Sequence, residues 1–197
     1  MKVAIITDQH FGARKSSRIF HDFFKKFYRN VFFPTLEKRG IKTVLDLGDT
    51  FDNRRNLDIW AAQWGTHNYF DRLKDMGIQV HALVGNHTAY FKDTNLVNTL
   101  VSVVGEYDNV EIYSKTTEVE IGGLPILFIP WINSENHDET YDLIEKSKSP
   151  IAMGHLNSMD LKHTKVTSWI MVTAQPHIES LKKYSQDIII RKAPEET

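Results

Sequence analysis

Aspartate, asparagine and histidine recur in this chain directly behind short apolar runs, at four separate places. Asp8 and His10 follow Val3-Ala4-Ile5-Ile6-Thr7, and Asp49 follows Val44-Leu45-Asp46-Leu47-Gly48. Asn86 and His87 follow the run that ends at Val84-Gly85, and His155 follows Ile151-Ala152-Met153-Gly154. Carboxylate oxygen, amide oxygen and imidazole nitrogen are ligands for divalent ions such as Mn²⁺, Fe²⁺ or Zn²⁺. Asp8 and His10 lie two apart, so an extended segment points both side chains to one side. Gly48 lets the backbone turn sharply, which places Asp49 to bridge two ions just past a strand end, where open α/β sheets put their ligands. An Asp-X-His pair is common and a turn aspartate is usually just solvated, so the case lies in several such groups meeting. His87 has the chemistry to protonate a leaving oxygen. Arg54 and Arg55 can hold phosphates or be ordinary loop charges, and both readings stand open.

The elements that must carry these groups follow from punctuation and period. Residues 2–7, 44–47, 78–84 and 150–153 read as short buried strands bounded by glycine and polar residues. Ser16-Ser17 signals a helix start. Ile19, Phe20, Phe23, Phe24, Phe27, Tyr28, Val31 and Phe32 then recur at helical spacing, which fits packing against a sheet better than base stacking. Pro34 is expected to kink or restart this helix, and Lys38-Arg39-Gly40 to end it. Residues 58–76 read as a second amphipathic helix, with His67 a surface or packing residue. Residues 94–104 and 139–146 read as shorter helices. Residues 110–113, 118–121 and 126–129 read as a meander with Gly122-Gly123 as a turn. Trp131 is expected near the mouth of the site. Strand, polar ligand, helix, repeated, argues for an α/β sandwich with helices outside and the site at strand ends.

The bulk numbers agree with one ordinary domain. The chain has 197 residues, 41% of them hydrophobic and 25% charged. A net charge of −1 gives no broad basic surface for nucleic acid, though a local patch and metals can replace one. No cysteine is present, which excludes disulfides and thiolate metal sites and fits a reducing compartment. No apolar run is long enough to cross a bilayer. Val3 to Ile6 is too short for a signal-peptide core, so a cytoplasmic protein is expected, in a host cytoplasm if phage-encoded.

Taken in order, Asp8-X-His10, Gly48-Asp49-X-X-Asp52, Gly85-Asn86-His87 and Gly154-His155 resemble the motifs of the calcineurin-like metallophosphoesterases. Within that superfamily the start Thr7-Asp8-Gln9-His10-Phe11-Gly12, the stretch Gly48 to Arg54 and Phe128-Ile129-Pro130-Trp131 resemble the SbcD-type DNA break-processing nucleases, phage members especially. The resemblance implies an α/β/β/α metallophosphoesterase sandwich over residues 1–156, C-terminally incomplete. It implies that Asp8 and His10 hold one metal, Asp49 bridges both, and Asn86 and His155 hold the second. His87 would assist the leaving group. Two Mn²⁺ ions would serve phosphodiester hydrolysis, with the second site short of ligands, and the partners would be DNA, an SbcC-type coiled-coil ATPase and a second copy. Other readings are an impaired fragment of such a nuclease, or a phosphoesterase for nucleotides or phosphoproteins.

Two departures from the family pattern stand out. Thr88 occupies the position after Gly-Asn-His where the family has aspartate, a residue better suited to orienting the histidine than to binding metal. The family's later Gly-His-X-His is missing; only His163 and His177 follow His155. Read one base out of register, Gln186-Asp187-Ile188-Ile189-Ile190 can encode Gly-His-Tyr-His, and the residues after Leu156 shift toward the family's continuation in the same way. Residues 157–197 are therefore expected to be an out-of-frame tail, a genuine divergent tail being the alternative; the coding DNA decides.

Overall fold

The computed structural model describes residues 1–156 and the backbone of residues 169–172 and 188–192. His163, His177 and most of the stretch expected to be out of frame lie outside the described residues. Strand β1 (Val3–Thr7) leads into a single left-handed turn, α1 (Ala13–Ser16). Helix α2 (Arg18–Phe27), a π turn (Tyr28–Phe32) and α3 (Phe33–Arg39) then run end to end. The Ser17 side chain caps α2 and Gly40, in left-handed conformation, closes α3. Strand β2 is Thr43–Asp46. Helix α4 (Ile59–Gly65), capped by Asp58, passes through a second π turn (Thr66–Phe70) into α5 (Asp71–Asp75). Then come β3 (Gln79–Leu83), α6 (Thr99–Val104), β4 (Val110–Tyr113), β5 (Thr117–Ile121), β6 (Leu124–Ile129), α7 (His137–Lys146) and β7 (Ile151–His155). Strands β8 (Trp169–Val172) and β9 (Ile188–Lys192) complete the sheets.

One sheet has the order β4-β3-β2-β1-β9, all pairs parallel; the other has the order β5-β6-β7-β8. Strand alternation sorts the apolar side chains into layers. Ala4, Ile6, Val44, Val80 and Ala82 pack with the α2–α5 helices, among Phe24, Tyr28, Phe70 and Leu73. Their neighbours Ile5, Leu45 and Leu83 face the second sheet and meet Ile126, Phe128, Ile151 and Met153. On that sheet's far side Leu127, Ile129 and Ala152 pack with Ile144 of α7. The result is the expected α/β/β/α sandwich.

Three expectations need correction, whereas Pro34 stands, as expected, in the first turn of α3, where the α-helix restarts after the π turn. It cannot donate a backbone hydrogen bond, and the turn before it widens, with Phe33 N bonding back to the Tyr28 carbonyl. Of the aromatic stripe, Phe24, Tyr28 and Phe32 are buried, but Ile19 and Phe23 stay 71% and 49% exposed. Strand β4 is not part of a meander; it pairs parallel to β3 in the first sheet, and only β5 and β6 form an antiparallel hairpin. The helix expected from Thr94 starts at Thr99, because Asn98 caps it and Asn95 spends its side chain on the carbonyls of Ser114 and Trp131.

Candidate metal centre

The loops after β1 and β2 are laced together by backbone bonds. Asp8 N donates to the Gly48 carbonyl (3.0 Å), His10 N to the Asp49 carbonyl (2.8 Å) and Phe11 N to the Thr50 carbonyl (2.8 Å). Asp8, His10 and Asp49 all adopt left-handed backbone, at φ 52, 49 and 50°. Such conformations cost roughly 1–2 kcal/mol each for residues with a Cβ, and strain of this kind collects at functional sites. Two glycines make room. A Cβ on Gly48 would lie 2.6 Å from His155 Nδ1, and one on Gly85 would lie 2.2 Å from Asp49 Oδ1.

Two groups of possible ligand atoms result, each within 4.8 Å: His10, Asp49 and His87, and Asp8, Asp49 and His155. Asp49 belongs to both. Its Oδ1 accepts from His87 N at 2.8 Å, and its Oδ2 lies 3.2 Å from His155 Nε2 and 3.9 Å from His10 Nε2. Asn86 Oδ1 lies 2.9 Å from His155 Nε2, so it borders the second group. The structure thus brings together every ligand expected from sequence. The grouping differs: Asp8 joins His155, while its Oδ1 also stands 3.7 Å from His10 Nε2, and His87 stands with His10.

The imidazoles are aimed by partners on the outer side of each ring. His155 Nδ1 donates to the Leu47 carbonyl (3.1 Å), which leaves Nε2 facing Asp49 and Asn86. His10 Nδ1 faces Asp52 Oδ1 at 3.0 Å. His87 Nδ1 donates to the Asp52 carbonyl (2.8 Å), so its Nε2 is the free nitrogen. Thr88, standing where an aspartate was expected, instead closes its own turn: its hydroxyl accepts from Gly85 N (2.8 Å) and donates to the Gly85 carbonyl (2.9 Å). Asp52 is thus the orienting residue for two histidines. Its only signal in the sequence was its place three residues after Asp49.

Without ions, opposite charges in the centre hold one another. Burial alone would lower the His10 pKa, but the Asp52 carboxylate 3.0 Å away, with Asp8 and Asp49 nearby, outweighs it and raises the ring to about 10. Burial likewise opposes charge on His155, and Asp49 foremost holds it protonated above the usual histidine range. Asp8 and Asp49 are pushed up by burial but end below the ordinary carboxylate range, through His10 and His155. Two carboxylates and two imidazoles, once the rings shed their protons, are a donor set that fits hard to borderline divalent cations.

Arg54 approaches the centre: its guanidinium feels the Asp49 charge and lies 4.6 Å from the ring centre of Trp131. Its Nη1 is buried with no hydrogen-bond partner among the described residues. Arg55 lies 5.8 Å above Tyr90. His67 is exposed, hydrogen-bonded to the Gln63 carbonyl.

The chain is similar to known proteins in three comparisons. The calcineurin-like phosphoesterase family model matches residues 1–190. Exonuclease subunit 1 of Enterobacteria phage T4 is 33% identical over 119 residues, which are 60% of this chain and 35% of that protein. The chain therefore spans well under two thirds of that relative's length. A solved structure of a protein of unknown function from Aquifex aeolicus superimposes with a TM-score of 0.45 at 15% identity, covering 80% of this chain and 81% of that one.

Proposed function

The chain belongs to the calcineurin-like phosphoesterase family, and on that premise we propose that it is a two-metal phosphodiester hydrolase acting on DNA. The observation that carries this reading is the pair of ligand groups that share the buried carboxylate of Asp49. Asp8 and His10, 3.7 Å apart at Oδ1 and Nε2, would with Asp49 hold one cation, and Asp49, Asn86 and His155 the other, with Asp8 within reach of both and His87, beside His10, left to serve the reaction. When bound, two such ions supply Lewis-acid polarisation of the phosphoryl oxygens and a water of lowered pKa. His87, held at Nδ1 by the Asp52 carbonyl, presents Nε2 to hold a proton at the leaving oxygen. The buried Nη1 of Arg54 has a donor to spend on a phosphate oxygen.

Likeness to a phage exonuclease subunit favours DNA over nucleotides or phosphoproteins. Its name as a subunit favours a partner, for which we propose an SbcC-type ATPase in the host cytoplasm, with Mn²⁺ as the metal. A second copy could cover Ile19 and Phe23 on α2 and Ile59 at the start of α4, which is 77% exposed. Among the described residues no helix is long and apolar enough to cross a membrane.

The test is hydrolysis, with Mn²⁺, of end-labelled DNA, nucleotides, a phosphopeptide and bis(p-nitrophenyl) phosphate. Metal-dependent cleavage of DNA and of the small diester is expected. Cleavage of the phosphopeptide alone would overturn the reading, and one bound cation with no turnover would identify an impaired nuclease.

Metal binding itself should be pH-dependent. His10, raised to about 10, is protonated at neutral pH and must lose that proton to bind a cation, and His155, raised as well, adds to the release. Calorimetry of Mn²⁺ binding in buffers of different ionisation enthalpy should show net proton release at pH 7, with affinity rising by up to about tenfold per pH unit for each proton released. Binding without proton release would mean that these imidazoles are not ligands.

A further inference from the structure

Residues 89–98 form a loop braced at its base. Ala89 and Asn98 form an isolated antiparallel bridge, and Tyr90 N donates to the Val97 carbonyl at 2.9 Å. Asn95, buried in the loop, donates to the carbonyls of Ser114 and Trp131 and accepts from Asn133 Nδ2 at 3.1 Å. This frame holds two adjacent aromatic rings out in solvent. Tyr90 is 38% and Phe91 42% exposed, edge to face with centroids 4.7 Å apart. The loop starts two residues after His87, and Arg55, whose neighbour Arg54 feels the Asp49 charge, lies over the Tyr90 ring. Lys92 follows Phe91 directly. Exposed rings interleaved with cations beside a phosphodiester-cleaving centre have the chemistry of a nucleobase with its flanking phosphates.

We propose that Tyr90 and Phe91 form a stacking site for an unpaired nucleobase of the strand being cut, with Arg55 and Lys92 on the adjoining phosphates. A base within a closed duplex keeps its faces on its neighbours and cannot use these rings. The centre should therefore prefer single-stranded or frayed ends. This inference rests on the reading of the centre as a DNA phosphodiesterase. The braced loop presents the rings already ordered, so little conformational freedom is lost on binding.

The experiment uses the full chain in EDTA, so that nothing is cut, and a single-stranded oligonucleotide carrying 2-aminopurine, whose fluorescence falls on stacking. Saturable quenching is expected with the wild type. Tyr90→Ala and Phe91→Ala should each weaken single-strand binding by about five- to a hundredfold and reduce the quench, with affinity for a blunt hairpin duplex far less affected. Phe91→Tyr should keep both. Equal losses on single strand and duplex, or none in variants that melt like the wild type, would overturn the proposal. So would full DNA affinity with lost docking of a protein partner, which would make the loop a protein interface. A wild type that hydrolyses bis(p-nitrophenyl) phosphate but quenches nothing sinks the stacking site alone. One that does neither sinks the functional reading beneath it.

Discussion

Asp49→Asn should reduce metal-dependent phosphodiester hydrolysis by a factor on the order of 10² to 10⁴ while leaving the fold in place. Asn keeps an oxygen to accept from His87 N, as Oδ1 does now at 2.8 Å. What it loses is the negative charge common to both ligand groups. Asp49 is buried, and its Oδ2 lies 3.2 Å from His155 Nε2 and 3.9 Å from His10 Nε2. Breaking a buried pair by removing one charge costs roughly 3–5 kcal/mol, which is two to four powers of ten in affinity. In the metal-free protein the penalty is smaller, because His155 can shed its proton once Asp49, the main group raising its pKa, is neutral. The variant should therefore fold, titrate His155 at lower pH by NMR, and show no tight two-site Mn²⁺ isotherm. Two cations bound with wild-type affinity, or an unchanged rate, would remove Asp49 from its central place.

The sequence shows that Asp49 matters for a local reason: a short apolar run, a glycine, then a carboxylate. The strands and the residues at their ends were legible because a buried strand is a run of four to six residues with glycine behind it. What stayed hidden depended on partners distant in sequence. Nothing in Val110 to Tyr113 says that β4 pairs with β3 rather than with its neighbour β5. The π turns were not foreseen, since they answer to the packing of Tyr28 against Tyr69 between two helices as much as to Pro34. The left-handed backbone of Asp8, His10 and Asp49 was invisible too, because these residues signal nothing that glycine would. The same holds for Asp52, whose role depends on His10 and His87 arriving from other strand ends.

Least legible was the support beneath the centre. Gln9, between the two left-handed residues Asp8 and His10, is fully buried. Its Nε2 donates to Asp46 Oδ2 at 2.7 Å, and its Oε1 accepts from the Tyr28 hydroxyl. Thr50, next to Asp49, also donates to Asp46 Oδ2, at 3.0 Å. A residue reading as one more strand position thus anchors the loops on both sides of the site and ties them to the π turn after α2. Removing any member leaves a buried polar atom unpaired, which is costly.

Asp46→Asn should stabilise the metal-free protein at pH 8 by an amount on the order of 4 kcal/mol, and by only about 1–2 kcal/mol at pH 5. Burial raises the Asp46 carboxyl to about 7, with hydrogen bonds from Thr50, Gly48 and Gln9 only partly opposing it. Its Oδ1 is buried with no partner among the described residues, and so is the oxygen a proton would occupy. Between its ordinary pKa near 4 and about 7, the folded chain holds this proton and the unfolded chain does not. The folded state binds more protons, so its stability falls as pH rises through that window. A difference of about 3 units corresponds to about 4 kcal/mol at most. Asn keeps the acceptor for Gln9 and Thr50 and has no charge to bury. The raised histidines act in the same direction above pH 6.5, since they lose their stabilising protons as pH climbs toward their folded values. The difference between variant and wild type, measured by urea unfolding in EDTA from pH 5 to 8, isolates Asp46. Parallel curves across that range would mean that Asp46 is ionised throughout. The buried polar support would then rest on a charged carboxylate held by Gln9 and Thr50, and the Asn variant should be the less stable protein at every pH.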